Sequence, residues 1–365
     1  MTAPARSYVR YERDAATLDT TSSFWIACDE SGQDGETLTS TRPVMSHGAV
    51  RLDDDAADAV VQDLRQRLPT VWAGELKFSR FDSPRTVSVL TTALRDPQLL
   101  ATRCSAYIVD KRYMAVAKTI DLIIEEYEHE RGNDIYSTGE AAALATDLLV
   151  RGPTVLDADL LDTLLSRFVS LFRMGEPGGR PRATVDELFE SVAAAKTAAR
   201  DQRVRSILSR IAAGREQVDY FITHIRGSGG LPHLQPLIPA VIETIRDWYR
   251  RVPGVLMVLH DRQNLLSDEM IADIRRGLCE PSPLISVMPA PVVLGTFVRG
   301  DSASHSSIQL ADLVAGAGRV AGEYAMGRRT DPVAHQLSRA MRPYITEHSL
   351  WGDPKTWSVL TTPRY

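Results

Sequence analysis

Five residues of this 365-residue chain have the types that metal-assisted hydrolysis uses: the carboxylates of Asp29, Glu75, Asp261 and Asp312, and the ammonium of Lys77. Asp29 ends the apolar run Phe24-Trp25-Ile26-Ala27-Cys28 and leads into Glu30-Ser31-Gly32, where the glycine permits tight chain reversal. Taken alone, that position reads equally well as a turn-initiating aspartate. Asp261 stands in the same place after Val255-Leu256-Met257-Val258-Leu259-His260, and ligands commonly bind where the strands of α/β folds end. If Glu75-Leu76-Lys77 is extended, its period of two puts carboxylate and ammonium on one face. The plainer alternative is an exposed ion pair of small energetic worth.

The stretch from Gly300 to Gly316 is the richest in signal. A Ser/Asp-rich loop enters a helix whose Leu310, Leu313, Val314 and Ala317 form an apolar stripe, leaving Gln309, Asp312, Gly316 and Arg319 on another face. The small Ala311, Ala315 and Gly318 let that helix lie close to a sheet and carry Asp312 toward the strand ends. Ser306 and Gln309 have the spacing of a capping box, so the Gln309 amide serves either the helix start or the site. Ser31, Asp301 and Gln309 are the candidate substrate contacts around these acids. Asp110 ends a strand-like run too, but Lys111 and Arg112 beside it are placed to neutralise it. His47, His260 and His305 are isolated along the chain and read as core or surface histidines.

Carboxylates converging from separate elements repel one another, and a divalent cation relieves that conflict. Oxygen donors without clustered Cys or His point to Mg²⁺ or Mn²⁺, up to two ions, rather than zinc. Such ions activate water and stabilise the leaving oxygen in phosphodiester cleavage. No GxxxxGK[ST], HExxH or GxSxG motif occurs, which disfavours a P-loop NTPase, a zincin and an α/β-hydrolase.

The elements that must position these residues are strands and helices in a mixed order. Phe24–Cys28, Ser46–Leu52, Ala106–Val109, Val255–His260 and Ala290–Val298 read as strands of one mixed sheet. Helical periodicity covers Asp54–Leu68, Arg85–Leu94, Tyr113–Glu130, Glu140–Val150, Asp157–Phe172, Val185–Phe221 and Leu237–Arg251. The expected organisation is an N-terminal extension over 1–22, an α/β domain from 23–112 and 253–365, and a helical insertion over 113–252 that caps the site. The insertion has its own breaker at Gly175–Pro181, read as a mobile loop. Its arginines Arg200, Arg203, Arg205, Arg210 and Arg215 are placed either to guide a nucleic-acid backbone or to form a solvated face balanced by Asp201 and Glu216.

Lys and Arg total 42 against 47 for Asp and Glu, a net charge of −5, so any phosphate-binding surface has to be local. The scattered Cys28, Cys104 and Cys279 argue against structural zinc and disulfides, and they fit a reducing, cytoplasmic setting. Neither a signal peptide nor a membrane span is expected. A homodimer is compatible with the sequence.

In order along the chain, Asp29-Glu30-Ser31-Gly32, Glu75-Leu76-Lys77 and Gln309-Leu310-Ala311-Asp312-Leu313-Val314-Ala315-Gly316 resemble the motifs of the bacterial family catalogued as domain of unknown function 3800. The resemblance spans roughly residues 23–112 and 253–320, and the last motif is the most specific. It implies a ribonuclease-H-like fold, with Asp29, Glu75 and Asp312 on the acidic positions, Lys77 on the basic one, and Asp261 and Asp301-Ser302 on weaker ones. Asp110-Lys111 matches a family-like strand end. Three functions are then open: a metal-dependent nuclease acting on RNA or DNA, a catalytically silent module that binds nucleic acid or a partner protein, and a hydrolase of small phosphoesters.

Overall fold

Apolar runs that stop at an acid become the centre of the molecule. β1 (Ser23–Ser31) pairs antiparallel with β2 (Val44–Val50), and the chain reverses through Gly32 at φ +83°, where a Cβ would stand 2.4 Å from the Val44 carbonyl oxygen. Two capped helices follow. α1 (Asp54–Arg67) starts on Asp53, which accepts the Ala56 N–H, and α2 (Pro84–Arg95) starts on a Ser83/Thr86 capping box with proline in the first turn. β3 (Cys104–Asp110) then pairs antiparallel with β2. The computed structural model describes residues 22–68, 74–174, 182–225, 232–280 and 291–361, so the extension before 22 and the breaker at Gly175–Pro181 lie outside the described residues.

Between β3 and β4 the described chain is helical: α3 (Lys111–Thr119), a π-helical stretch (Ile120–Glu125), α4 (Glu126–His129), α5 (Glu140–Val155), α6 (Ala158–Phe172), α7 (Val185–Ala198), α8 (Gln202–Ala213), α9 (Arg215–Tyr220), a second π-helical stretch (Phe221–Ile225) and α10 (Leu237–Arg251). The single helix expected over Val185–Phe221 is divided. Asp201 caps a new start by accepting the Arg203 and Val204 N–H groups, and Gly214 sits against Ile123, where a side chain would not fit. β4 (Val255–Asp261) runs parallel to β1, α11 (Asp268–Cys279) follows, and β5 (Leu294–Gly300) runs parallel to β4. Residue 290, the expected start of that last strand, lies outside the described residues. The chain closes with α12 (Ser306–Ala325), α13 (Pro332–Met341) and α14 (Pro354–Thr361).

The result is a mixed α/β molecule with a five-stranded sheet ordered β3-β2-β1-β4-β5 and flanked by helices. Alternation along the strands builds two cores. Ile26, Cys28, Met45, Tyr107 and Val109 join the apolar residues of α3 to α10. Val44, Val50, Ala106 and Ile108 face the other way, onto α12, α1, α2 and α13. Among the described residues no helix is long and apolar enough to cross a membrane.

The flanks of β3 differ from expectation. Asp110 is buried and caps α3 through the Tyr113 N–H at 3.0 Å; burial pushes its carboxyl up to about 6, outweighing the opposing charge and N–H of Arg112. Lys111 instead pairs at 2.7 Å with Asp34 of the β1–β2 connection, and Arg112 pairs with Asp162.

Candidate active site

The closest approach of helix to sheet decides where the acids meet. Gly48 of β2 lies opposite Asp29 of β1 in the ladder, and a Cβ on Gly48 would stand 2.5 Å from both the Ala311 carbonyl oxygen and the Ala315 nitrogen of α12. Gly318 and Gly322 lie against side chains of β2 and β3, where a Cβ would crowd Ser46 and Val44, so this side of α12 has to be made of small residues. The turn that carries Asp312 is thereby laid beside Asp29.

The 75–78 segment is docked on the polar face of α12. Gln309 Oε1 accepts the Leu76 N–H at 3.0 Å, and Asp312 Oδ2 accepts the Phe78 N–H at 2.6 Å. Gly316 completes the seat: a Cβ there would come within 2.0 Å of the Phe78 ring. Alternate N–H groups therefore point at the helix, Leu76 is buried, and Glu75 and Lys77 project together and pair at 3.1 Å. The shared face expected for these two is present, and so is their ion pair. The capping-box alternative for Gln309 fails. His305 occupies the N-cap position, Ser306 bonds to Asp58, and the Gln309 amide donates to the Ser302 carbonyl at 2.8 Å.

Asp261 joins from β4, its Oδ1 accepting the Ser302 N–H at 3.3 Å. Asp301 is exposed and accepts the Ala303 N–H, a turn role beside the site. Ser31 Oγ accepts a hydrogen bond from Arg319 Nε at 3.1 Å, and Arg319 also pairs with Glu323. Ser31, Lys77, Asp312 and Arg319 line a cleft of about 430 Å³ together with Phe78, Ser79 and Arg329.

Electrostatics ties the group together. Burial, then the charges of Glu30, Asp312 and Asp261, hold the Asp29 carboxyl well above the usual carboxylate range, against a 2.7 Å hydrogen bond from the Glu30 N–H. Burial also raises Asp312, opposed by the Phe78 N–H and Lys77 and reinforced by Glu75 and Asp261. The Lys77 ammonium is held up first by Glu75, with Asp312 and Asp261 adding. Asp312 thus links the two halves of the group: it acts on Asp29, and it feels Glu75, Lys77 and Asp261. Among the described residues, no three His, Cys, Asp or Glu side chains stand grouped as a ready metal cage.

The arginines between α7 and α9 are drawn into the helical block. Arg203 pairs with Asp147, Arg210 with Glu128 and Glu140, Arg215 with Asp186, and Arg205 bonds to the Ala199 carbonyl. Arg200 is exposed in the link before α8, and neither it nor Arg203 lines the cleft beside Asp312. Sequence reasoning put Arg319 on the face of Asp312 without giving it a part in the site. Its spacing of seven from Asp312, two helical turns, was the available signal. His47 and His260, read as isolated, touch each other in the core with Nε2 atoms 3.0 Å apart.

Comparison with protein-family models, with curated proteins and with solved structures finds no match.

Proposed function

We propose that this protein is a divalent-metal-dependent nuclease with a ribonuclease-H-like fold, in which Asp29 and Asp312, with Asp261 and Glu75, hold Mg²⁺ or Mn²⁺ and the chain hydrolyses phosphodiester bonds of RNA or DNA. The observation that carries the reading is the pair of raised, partly buried carboxylates at Asp29 and Asp312, brought into electrostatic reach of one another where α12 packs on Gly48 of the strand beside Asp29. Carboxylates that raise one another's proton affinity are relieved by a bound cation. The sheet order β3-β2-β1-β4-β5, with only β2 antiparallel to its neighbours, supports the fold assignment. On this reading the helices between β3 and β4 are an insertion capping the α/β domain.

The donor set fits the metal: the acids offer hard oxygens, and the free cysteines Cys28 and Cys104 are buried. Bound there, the metal supplies an activated water and charge stabilisation for the leaving oxygen. Because the carboxylates are not grouped as a cage, cation binding entails side-chain rearrangement. Lys77, more than half exposed at its side chain, is the cation placed to meet phosphate next to Asp312. Gln309 keeps that lysine in place by holding the segment that bears it. The free thiols fit a reducing, cytoplasmic setting.

Purified protein is incubated with Mg²⁺ or Mn²⁺ and mixed RNA and DNA. Cleavage by the wild type and its loss in Asp29→Asn and Asp312→Asn is the expected result; no cleavage beyond that of Asp29→Asn overturns it. The cleft of about 430 Å³ favours a second reading, hydrolysis of a small phosphoester, since that size suits a drug-sized or nucleotide-sized ligand. A mononucleotide hydrolysed where polymers are left intact would select it.

A further inference from the structure

On the face of the sheet turned to α10, three buried polar side chains form a line. Thr244 Oγ1 of α10 lies 2.8 Å from His47 Nδ1 of β2. His47 Nε2 lies 3.0 Å from His260 Nε2 of β4, and His260 Nδ1 lies 2.9 Å from the peptide oxygen of Asp261. Each of the three residues is at most 1% exposed. β2 and β4 flank β1, so the two rings meet across the strand that carries Asp29.

With both rings neutral the line has one direction. A peptide oxygen only accepts, so His260 Nδ1 carries the hydrogen. In a neutral ring its Nε2 is then a lone pair, so His47 Nε2–H has to donate to it. That leaves His47 Nδ1 as an acceptor, and the Thr244 hydroxyl donates there. Burial, with His260 alongside, holds the His47 ring well below the ordinary histidine range, which keeps the neutral form that this ordering requires.

We propose that Thr244, His47 and His260 are positioning residues that hold the Asp261 peptide and thereby aim its carboxylate into the acidic site. The inference rests on the reading of Asp261 as a site acid. The ladder between β1 and β4 ends at Cys28 and His260, so on that side Asp261 lies one residue beyond the last strand pairing. The ring N–H of His260 supplies a partner to its carbonyl where the ladder stops. On its other side Asp261 pairs with Gly300 of β5, and the Ser302 N–H sits on its carboxylate, so the His260 ring closes the one side the sheet leaves open. Because Thr244 belongs to α10, the seating of the helical block is felt at the end of β4.

Long-range ¹⁵N–¹H NMR of the histidine side chains tests the line without reference to catalysis. His47 is expected as the Nε2–H tautomer and His260 as the Nδ1–H tautomer; the reverse assignment overturns the proposal. Thr244→Val, which removes the donor and keeps the shape, should shift the His47 and His260 ring signals, and Thr244→Ser should restore them. Mn²⁺ titration followed by electron paramagnetic resonance then reads the consequence. Thr244→Val should bind roughly 10-fold more weakly and Thr244→Ser like wild type, the scale typical for residues that orient metal ligands. Wild-type affinity in Thr244→Val, with the expected tautomers in place, overturns the positioning role. Failure of the wild type to bind Mn²⁺ overturns the metal reading of the site, and the tautomers then still decide whether the line exists.

Discussion

The carboxylate of Asp312 accepts the peptide N–H of Phe78 at 2.6 Å, so one oxygen of a site acid also anchors the segment that bears Glu75 and Lys77. Helix, docked segment and strand ends therefore form one assembly around Asp29, and perturbing any contact in it has a defined consequence.

Gly48→Ala places a Cβ against the backbone of Ala311 and Ala315, with no flexible side chain there to give way. Overpacking of this kind costs about 1–3 kcal/mol. Urea unfolding should show that loss, and α12 should lift from β2. A variant as stable as wild type removes the claim that backbone contact sets the distance from Asp29 to Asp312.

Gln309→Ala strands the Leu76 N–H and the Ser302 carbonyl together. Leaving buried polar groups unmet costs roughly 1–3 kcal/mol. Hydrogen exchange at the Leu76 amide should accelerate well beyond the change at the sheet amides. Unchanged protection at Leu76 counts against the docking.

Raised carboxyl pKa values at Asp29 and Asp312 mean that the folded chain binds protons more tightly there than the unfolded chain does. The stability this contributes is present at low pH and is lost as pH rises through the folded values. In EDTA, Asp29→Asn should therefore lose less stability than wild type between pH 5 and 8, taken as about the usual working range. At the upper end Mn²⁺ should raise the melting temperature of wild type and not of an Asp29→Asn/Asp312→Asn double variant. Equal metal stabilisation of both proteins contradicts the assignment.

Asp110 offers a control away from the site. Its carboxyl is pushed up to about 6 by burial, so its ionisation opposes folding above that pH. Asp110→Asn keeps an acceptor for the Tyr113 N–H and should gain on the order of 2 kcal/mol at pH 8 and nothing at pH 4. Denaturant midpoints at the two pH values measure it; a gain of equal size at both would show that charge is not the cause.

The strands with Asp29 and Asp261 were legible because an apolar run that stops at an acid suits a buried strand whose end reaches a polar site. The faces of α12 were legible because the small residues, the apolar stripe and the polar edge repeat with the helical period. Ser267 before α11 and Asp331-Pro332 before α13 carry local signals that sequence reasoning missed, and both are N-caps in the structure. Other features have no local signal. His47 and Thr244 are 197 positions apart and His47 and His260 are 213 apart, so their contact exists only once α10 is laid on the sheet. The partner of Lys111 could not be read either, because Asp34 reaches it across a connection whose path only the folded chain defines.

The seat of the 75–78 segment matches two different spacings. Its N–H groups at Leu76 and Phe78 are two residues apart, while the acceptors at Gln309 and Asp312 are three apart on a helix. Like the teeth of two gears, the sets engage in one setting, and sliding by a single residue would turn Glu75 and Lys77 toward the helix and Leu76 toward water. Deleting one residue between Glu75 and Phe78 would thus unseat the whole segment rather than shorten it.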